Sequence, residues 1–279
     1  MQEQDLSAEQ FRQYGHEVVD WIADYLHTTR DYPVMPRMHP GDLVDALPAS
    51  APEQGEPMER ILDDFKSLIV PALNHWNHPR FHAYFSVSAS GAGILGEMLA
   101  AAVNVNGMLW KSCPAAVELE LVVMSWLRQW LGLPPEFFGI IHDTASSSTL
   151  HAIGAARAVA DPQLRTRGGS PDLVLYCSEF AHSSVEKGAL SLGMGRNNVH
   201  KIGLDDQFRM RVDLLQAAID EDRRAGKHPF CVVSSVGTTA VTSVDPVEAV
   251  QDIAEREGLW HHIDGAYGGV AAMLPENQR

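Results

Sequence analysis

Asp264 closes a short apolar run, Leu259-Trp260-His261-His262-Ile263, and is followed by Gly265 and the pair Gly268-Gly269. The run reads as a buried strand. A carboxylate at the carboxyl end of such a strand, with glycines after it, stands where open α/β sheets place their ligands. Burying that charge is costly unless a cation or a hydrogen-bond donor meets it. The ordinary alternative is an Asp that caps the turn after it.

Three further stretches carry chemistry of a related kind. Asp143-Thr144-Ala145-Ser146-Ser147-Ser148-Thr149 opens a helix with hydroxyls and small side chains. The first helical turn has free N–H groups and the positive end of the dipole, which suits a phosphate. Simple N-capping needs only one of these hydroxyls. His182, in Glu179-Phe180-Ala181-His182-Ser183-Ser184, follows a strand that ends near Tyr176-Cys177, so it falls at the same sheet edge as Asp264. A bystander His beside a capping Ser183 or Ser184 is the alternative. Ser235-Val236-Gly237-Thr238-Thr239 ends another strand and turns on a glycine, and Asp245-Pro246 then starts a helix by ordinary capping.

Other patterns point nowhere further. Gly91-Ala92-Gly93-Ile94-Leu95-Gly96 matches GxGxxG, but the segment before it is polar and long helices follow it. Tight helix packing is therefore expected there in place of a dinucleotide site. No GxSxG elbow accompanies His182. His75, His78 and His82 are separated by Pro79, and His261 and His262 point to opposite faces of a strand, so no metal site is expected. Cys113, Cys177 and Cys231 form no CxxC pair and read as buried reduced thiols.

The elements that must position these residues follow from periodicity. Ser7 caps a helix that runs to about His27. Asp31 to Pro57, punctuated by Pro33, Pro36, Pro40, Pro48, Pro52 and Pro57, reads as an extended surface segment. Helices are expected over Met58–Leu73, Gly91–Asn106, Pro114–Leu131 and from Thr144 to about Val159. Strands at 173–176, 199–202, 230–236 and 259–264 then alternate with helices at 183–190, 213–224 and 246–257. That alternation predicts an α/β fold with a mainly parallel sheet covered on both faces, preceded by an N-terminal helical segment. Residues 1–80 are expected to form the helical segment and 81–279 the α/β domain.

Of 279 residues, 45% are hydrophobic and 20% charged, enough to bury a core, and the net charge of -15 argues against a nucleic-acid partner. The polar, acidic start is no signal peptide, and no apolar run reaches the roughly 18 residues of a membrane span. A cytoplasmic protein with no membrane partner fits these features.

Four strand or helix ends thus offer a phosphate cradle, a flat imidazole, hydroxyls and a carboxylate. A planar cationic heterocycle bearing a phosphate would use all of them, and pyridoxal 5'-phosphate is that molecule. Its phosphate would sit at Thr144 to Ser146, its ring on His182 and its pyridinium on Asp264.

The chain resembles the group II pyridoxal-phosphate-dependent amino-acid decarboxylases, in particular those of aromatic L-amino acids. The residues in question are RQYGHEVVDWIADYL, HPRFHAYF, CPAAVELE, DTASSSTLHAIGAAR, AHSSVEKG, VGTTAVTSVD and WHHIDGAYGG, in order along the chain. The resemblance implies fold type I architecture and a homodimer whose N-terminal helices wrap the partner. It implies that Thr144, Ala145 and Ser146 bind the phosphate and that His182 stacks on the ring. Thr239 would lie near the ring hydroxyl and the substrate carboxylate. Asp264 would pair with the ring nitrogen, Ala266 would pack under the ring, and Trp76, Tyr84 and Phe85 would line the substrate pocket. His182 and Asp264 are the expected catalytic pair.

The expected reaction is decarboxylation of an aromatic L-amino acid to its amine and CO2. The alternatives are a glutamate, histidine, diaminobutyrate or sulfinate substrate, or a non-catalytic homologue. The sequence departs from the family in two ways. The family holds its cofactor through a lysine about thirty residues beyond the Asp, whereas the last lysine here is Lys227, so a fragment or a natural truncation is expected. Ser86-Val87 follow Tyr84-Phe85 where aromatic-specific relatives have Pro and Thr, and Asn106 and Met108 replace bulkier apolar groups.

Overall fold

A computed structural model of the chain describes residues 5–277, apart from Ser86, Ser88, Ser170 and Pro171. Ser86 of the Ser86-Val87 pair thus lies outside the described residues. The chain divides into two compact units, Met1–Asn104 and Val105–Arg279.

In the first unit, α1 (Ala8–Thr28) begins at a capping box: the Ser7 hydroxyl accepts from the Gln10 N–H and the Gln10 side chain accepts from the Ser7 N–H. The proline-rich stretch is not wholly extended. A short helix, α2 (Asp42–Ala46), forms where Gly41 takes a left-handed φ of 108° and Asp42 accepts from the His39 N–H at 2.7 Å. Helix α3 (Met58–Asp64) continues through a wide turn, Phe65–Ile69, and a tight one, Val70–Ala72. It packs on α1, with Trp21 edge-on to Phe65 at 5.0 Å, Lys66 paired to Glu17 at 2.7 Å, and the Tyr14 hydroxyl donating to Glu59. Helix α4 (Gly91–Val103) is capped by Ser90. The tight packing expected of its glycines is absent: a methyl group on Gly91 or Gly96 would meet no atom within 4 Å. No strand precedes α4 among the described residues, so the GxGxxG match has no βαβ setting either.

The second unit holds α5 (Pro114–Trp130), α6 (Ala145–Ala160), α7 (Leu164–Arg167), β1 (Leu173–Ser178), α8 (Ser183–Ser191), β2 (Val199–Ile202), α9 (Val212–Arg224), β3 (His228–Ser235), α10 (Val247–Glu257) and β4 (Trp260–Asp264). The sheet order is β2-β1-β3-β4, and every pair is parallel. All six positions of β1 are buried, as a strand covered on both faces requires. On one face Leu175, Cys177, Cys231 and Val233 pack with Ile153 and Ala156 of α6 and with Val185 and Ala189 of α8. On the other, Val174, Tyr176 and Val232 pack with Leu215 and Ile219 of α9 and with Val250 and Ile253 of α10. Each large apolar side chain so buried stabilises the fold by about 1.5–3 kcal/mol. Burial pushes the Cys177 thiol up to about 12, so it stays protonated and inert.

Among the described residues β4 stands last in the sheet order, with Trp260 40% and Ile263 47% exposed where a buried strand was expected. Among the described residues, no helix is long and apolar enough to cross a membrane.

Candidate functional site

Helices α6 and α8 run side by side in the same direction. A methyl group on Gly188 would lie 3.5 Å from the Leu150 Cα, and one on Gly154 would lie 3.7 Å from Leu192. The Arg157 guanidinium donates to the Leu192 carbonyl further along the same seam. Thr144 lies six residues before Leu150, and His182 six before Gly188. At about 1.5 Å per residue, both N-caps stand level, some 9 Å beyond the crossing. Because α8 leaves the carboxyl end of β1, both caps lie at the carboxyl rim of the sheet, and α6 also rests against β3 and β4.

Thr144 caps α6, its hydroxyl accepting from the Ser147 N–H at 3.2 Å. Ser148 donates back to the Thr144 carbonyl, and Thr149 is buried. The hydroxyl run is therefore partly spent on the helix itself. The Ala145 and Ser146 N–H groups find no acceptor among the described residues. With the dipole of a 16-residue helix behind them, they are free to donate to an anion. Hydrogen bonds, first from the Ser147 side chain and also from the Thr144 N–H, hold the neighbouring Asp143 carboxyl below its usual range.

His182 is itself the N-cap of α8. Its Nδ1 accepts from the Ser184 N–H at 3.2 Å and lies 2.9 Å from the Ser184 hydroxyl. Nδ1 is thus the acceptor, which puts the proton of the neutral ring on Nε2 and leaves the exposed ring face open. The helix is thus capped by His182 itself and not, as the alternative had it, by Ser183 or Ser184.

Asp264 ends β4 in register with Ser235, half-buried, with Oδ1 accepting from the Ala266 N–H at 3.1 Å. It does cap its own turn, and its other oxygen has no hydrogen-bond partner among the described residues. Asp264 and His262 share the face of Ser235 and Val233, the face covered by α6 and α8. The exits of β3 and β4 touch: Val236 N–H donates to the Asp264 carbonyl at 2.8 Å, and Gly268 N–H to the Val236 carbonyl at 2.9 Å. Gly237, at φ 87°, and Gly268 permit this contact, since a methyl group on Gly268 would lie 2.6 Å from the Val236 carbonyl oxygen. Thr239 and Ala266 follow these exits and are exposed.

Sequence reasoning missed one residue of this rim. Asp245 does not cap α10, where Pro246 stands as N-cap with no side-chain bond. It is buried and accepts from the Ser235 N–H at 2.8 Å and the Met210 N–H at 2.7 Å, tying the end of β3 in place. Burial pushes its carboxyl up, against the pull of those two N–H groups. The signal was Pro246, whose missing N–H leaves a preceding acid free to turn elsewhere.

Trp76, Tyr84 and Phe85 belong to the first unit. Trp76 stacks on Tyr84 at 5.6 Å and 5°, both rings exposed, with Tyr84 held at a left-handed φ of 55° that is costly for an aromatic residue. His75 and His78 are buried and bonded to protein groups, His75 Nδ1 to the Tyr25 hydroxyl at 2.9 Å and His78 Nε2 to the Arg30 carbonyl at 3.3 Å.

A family model, the pyridoxal-dependent decarboxylase conserved domain, matches residues 40–279. The chain belongs to that family. A phenylacetaldehyde synthase of Arabidopsis thaliana is 40% identical over 97% of this chain and 57% of its own length. A histidine decarboxylase of Drosophila melanogaster is 41% identical over 96% of the chain and 33% of its own. The crystal structure of Catharanthus roseus tryptophan decarboxylase in complex with L-tryptophan superposes with a TM-score of 0.92 at 38% identity, covering 98% of this chain and 60% of that one. The chain thus spans between a third and three fifths of these relatives. The residues of the rim fit the cofactor of a pyridoxal-dependent decarboxylase: two free N–H groups at a helix start, an exposed imidazole face and a half-buried carboxylate. Two buried polar atoms on the Asp264 face, Ser235 Oγ and His262 Nε2, also lack partners among the described residues.

Proposed function

We propose that this chain forms the cofactor-binding part of an enzyme that decarboxylates an aromatic L-amino acid, with pyridoxal 5'-phosphate as cofactor. The observation that supports this reading is the meeting of the α6 start, His182 and Asp264 at one rim of one sheet. Bound pyridoxal phosphate supplies an electron sink for the pair left behind when CO2 departs. The Ala145 and Ser146 N–H groups, with Thr144 and Ser146 side chains beside them, hold the phosphate. His182 presents its ring face as a stacking surface, fixed through Nδ1 by Ser184. Asp264 holds a proton at the ring nitrogen, Thr239 stands by the ring hydroxyl and the substrate carboxylate, and Ala266 packs beneath the ring.

An aromatic substrate is supported by relatives named for tryptophan and phenylacetaldehyde, and by the exposed Trp76–Tyr84 stack. Histidine is the second reading, from the 41% identical histidine decarboxylase. A homodimer is supported by large apolar side chains left exposed on α4 and α5, Leu99, Val103, Leu119, Trp126 and Trp130 among them. Three unpaired buried thiols suit the cytoplasm. The test is CO2 release by the protein expressed from its whole gene, with pyridoxal phosphate, from L-tryptophan, L-tyrosine, L-phenylalanine and L-histidine in parallel. Release from an aromatic substrate is expected; release from histidine alone favours the second reading, and release from none refutes both.

A further inference from the structure

β4 carries two neighbouring histidines that the fold treats differently. His261 faces α10 and is fully bonded, Nε2 to the Ser234 hydroxyl and Nδ1 to Gln251 Oε1, each at 2.7 Å. His262 leaves the opposite face, two residues before Asp264 and so on the same side of the strand as that acid. Its Nε2 is buried with no partner among the described residues. Burial holds its imidazole below the ordinary 6.5, and the Asp264 carboxylate is the charge that pulls the other way. Ser235, directly across from Asp264, has a buried hydroxyl that likewise has no partner among the described residues. An unpaired buried polar group costs about 1–3 kcal/mol. Val233, across from His262 on the same face, is the apolar residue that packing alone would select.

We propose that His262 is a positioning residue for Asp264: when pyridoxal phosphate binds, its so far unpartnered imidazole nitrogen becomes the donor that aims the carboxylate at the ring nitrogen, with the Ser235 hydroxyl supporting it from the next strand. The inference rests on the cofactor reading above. A neutral imidazole suits the task, because it donates to the acid without placing a second positive charge beside the pyridinium.

The test compares the whole gene product with its His262→Phe, His262→Gln, His262→Asn and Asp264→Ala variants. The readouts are the dissociation constant for pyridoxal 5'-phosphate, the position and circular dichroism of the bound-cofactor absorption band, and the thermal midpoint. His262→Phe should weaken binding about tenfold or more and shift the band. Gln places an amide nitrogen close to the Nε2 position and should restore most of both; Asn, whose nitrogen falls short, should not. If the Phe variant does not fold, the Gln-against-Asn comparison decides. Parent-like binding and band in His262→Phe, or equal behaviour of Gln and Asn, overturns the proposal. If Asp264→Ala loses the band while His262→Phe keeps it, the proposal alone fails. If Asp264→Ala also binds and absorbs like the parent, the cofactor reading itself has failed.

Discussion

Thr144 and His182 stand level at the starts of two parallel helices, each six residues before the point where Leu150 meets Gly188. The glycine lets the helices close on one another, and that closeness brings the free N–H groups of Ala145 and Ser146 and an imidazole to one rim. The geometry makes each of them separately testable.

The proposed phosphate site is made of backbone, so it is best tested by removing a backbone donor. Thr144 is extended, with φ -147° and ψ 158°, which is the conformation a following proline requires. Ala145→Pro therefore deletes one N–H at the first helical position without breaking α6. Affinity for pyridoxal phosphate should fall about tenfold while the thermal midpoint stays within a few degrees. Unchanged affinity in a titration of the folded variant would show that the phosphate does not bind there.

Asp245 should matter to stability more than any helix cap. Asp245→Ala leaves the buried Ser235 and Met210 N–H groups without acceptors and should cost at least about 2 kcal/mol in denaturant unfolding. Asp245→Asn, which keeps one acceptor oxygen, should cost less. A loss of a few tenths in the Ala variant, as for an exposed cap, would contradict the structure.

Gly268 has no room for a side chain against the Val236 carbonyl. Gly268→Ala should force the exits of β3 and β4 apart, destabilise the protein by about 1–3 kcal/mol and weaken cofactor binding with it. Gly96→Ala, where nothing lies within 4 Å, is the control and should be neutral or slightly stabilising. Equal unfolding curves for the two variants would refute the contact.

Burial lowers the pKa values of His75, His261 and His262 below the ordinary 6.5. The unfolded chain then binds more protons on these rings than the folded one does. Their contribution to stability is complete above about pH 6.5 and is lost as pH falls through their folded values. The thermal midpoint should therefore drop between about pH 7.5 and 5.5, and His261→Gln should flatten part of that slope. A midpoint that is level or rises on acidification would be inconsistent with neutral buried imidazoles.

Much of the rim was legible in the sequence because each residue sits at a boundary that periodicity marks. Asp264 ends an apolar run, His182 separates a strand from a helix, and Thr144 begins a small-residue helix. Asp245 was not legible, because its partners lie 10 and 35 residues away and only the tertiary fold brings them to it. Gly91 and Gly96 misled in the opposite sense, since small residues imply close packing only when something packs against them.

The most direct measurement is a crystal structure of the whole gene product with pyridoxal 5'-phosphate bound. The phosphate oxygens should lie about 3 Å from the Ala145 and Ser146 nitrogens and the ring nitrogen about 3 Å from an Asp264 oxygen, with the ring against His182. A cofactor found elsewhere, or one whose ring nitrogen faces away from Asp264, would contradict the account.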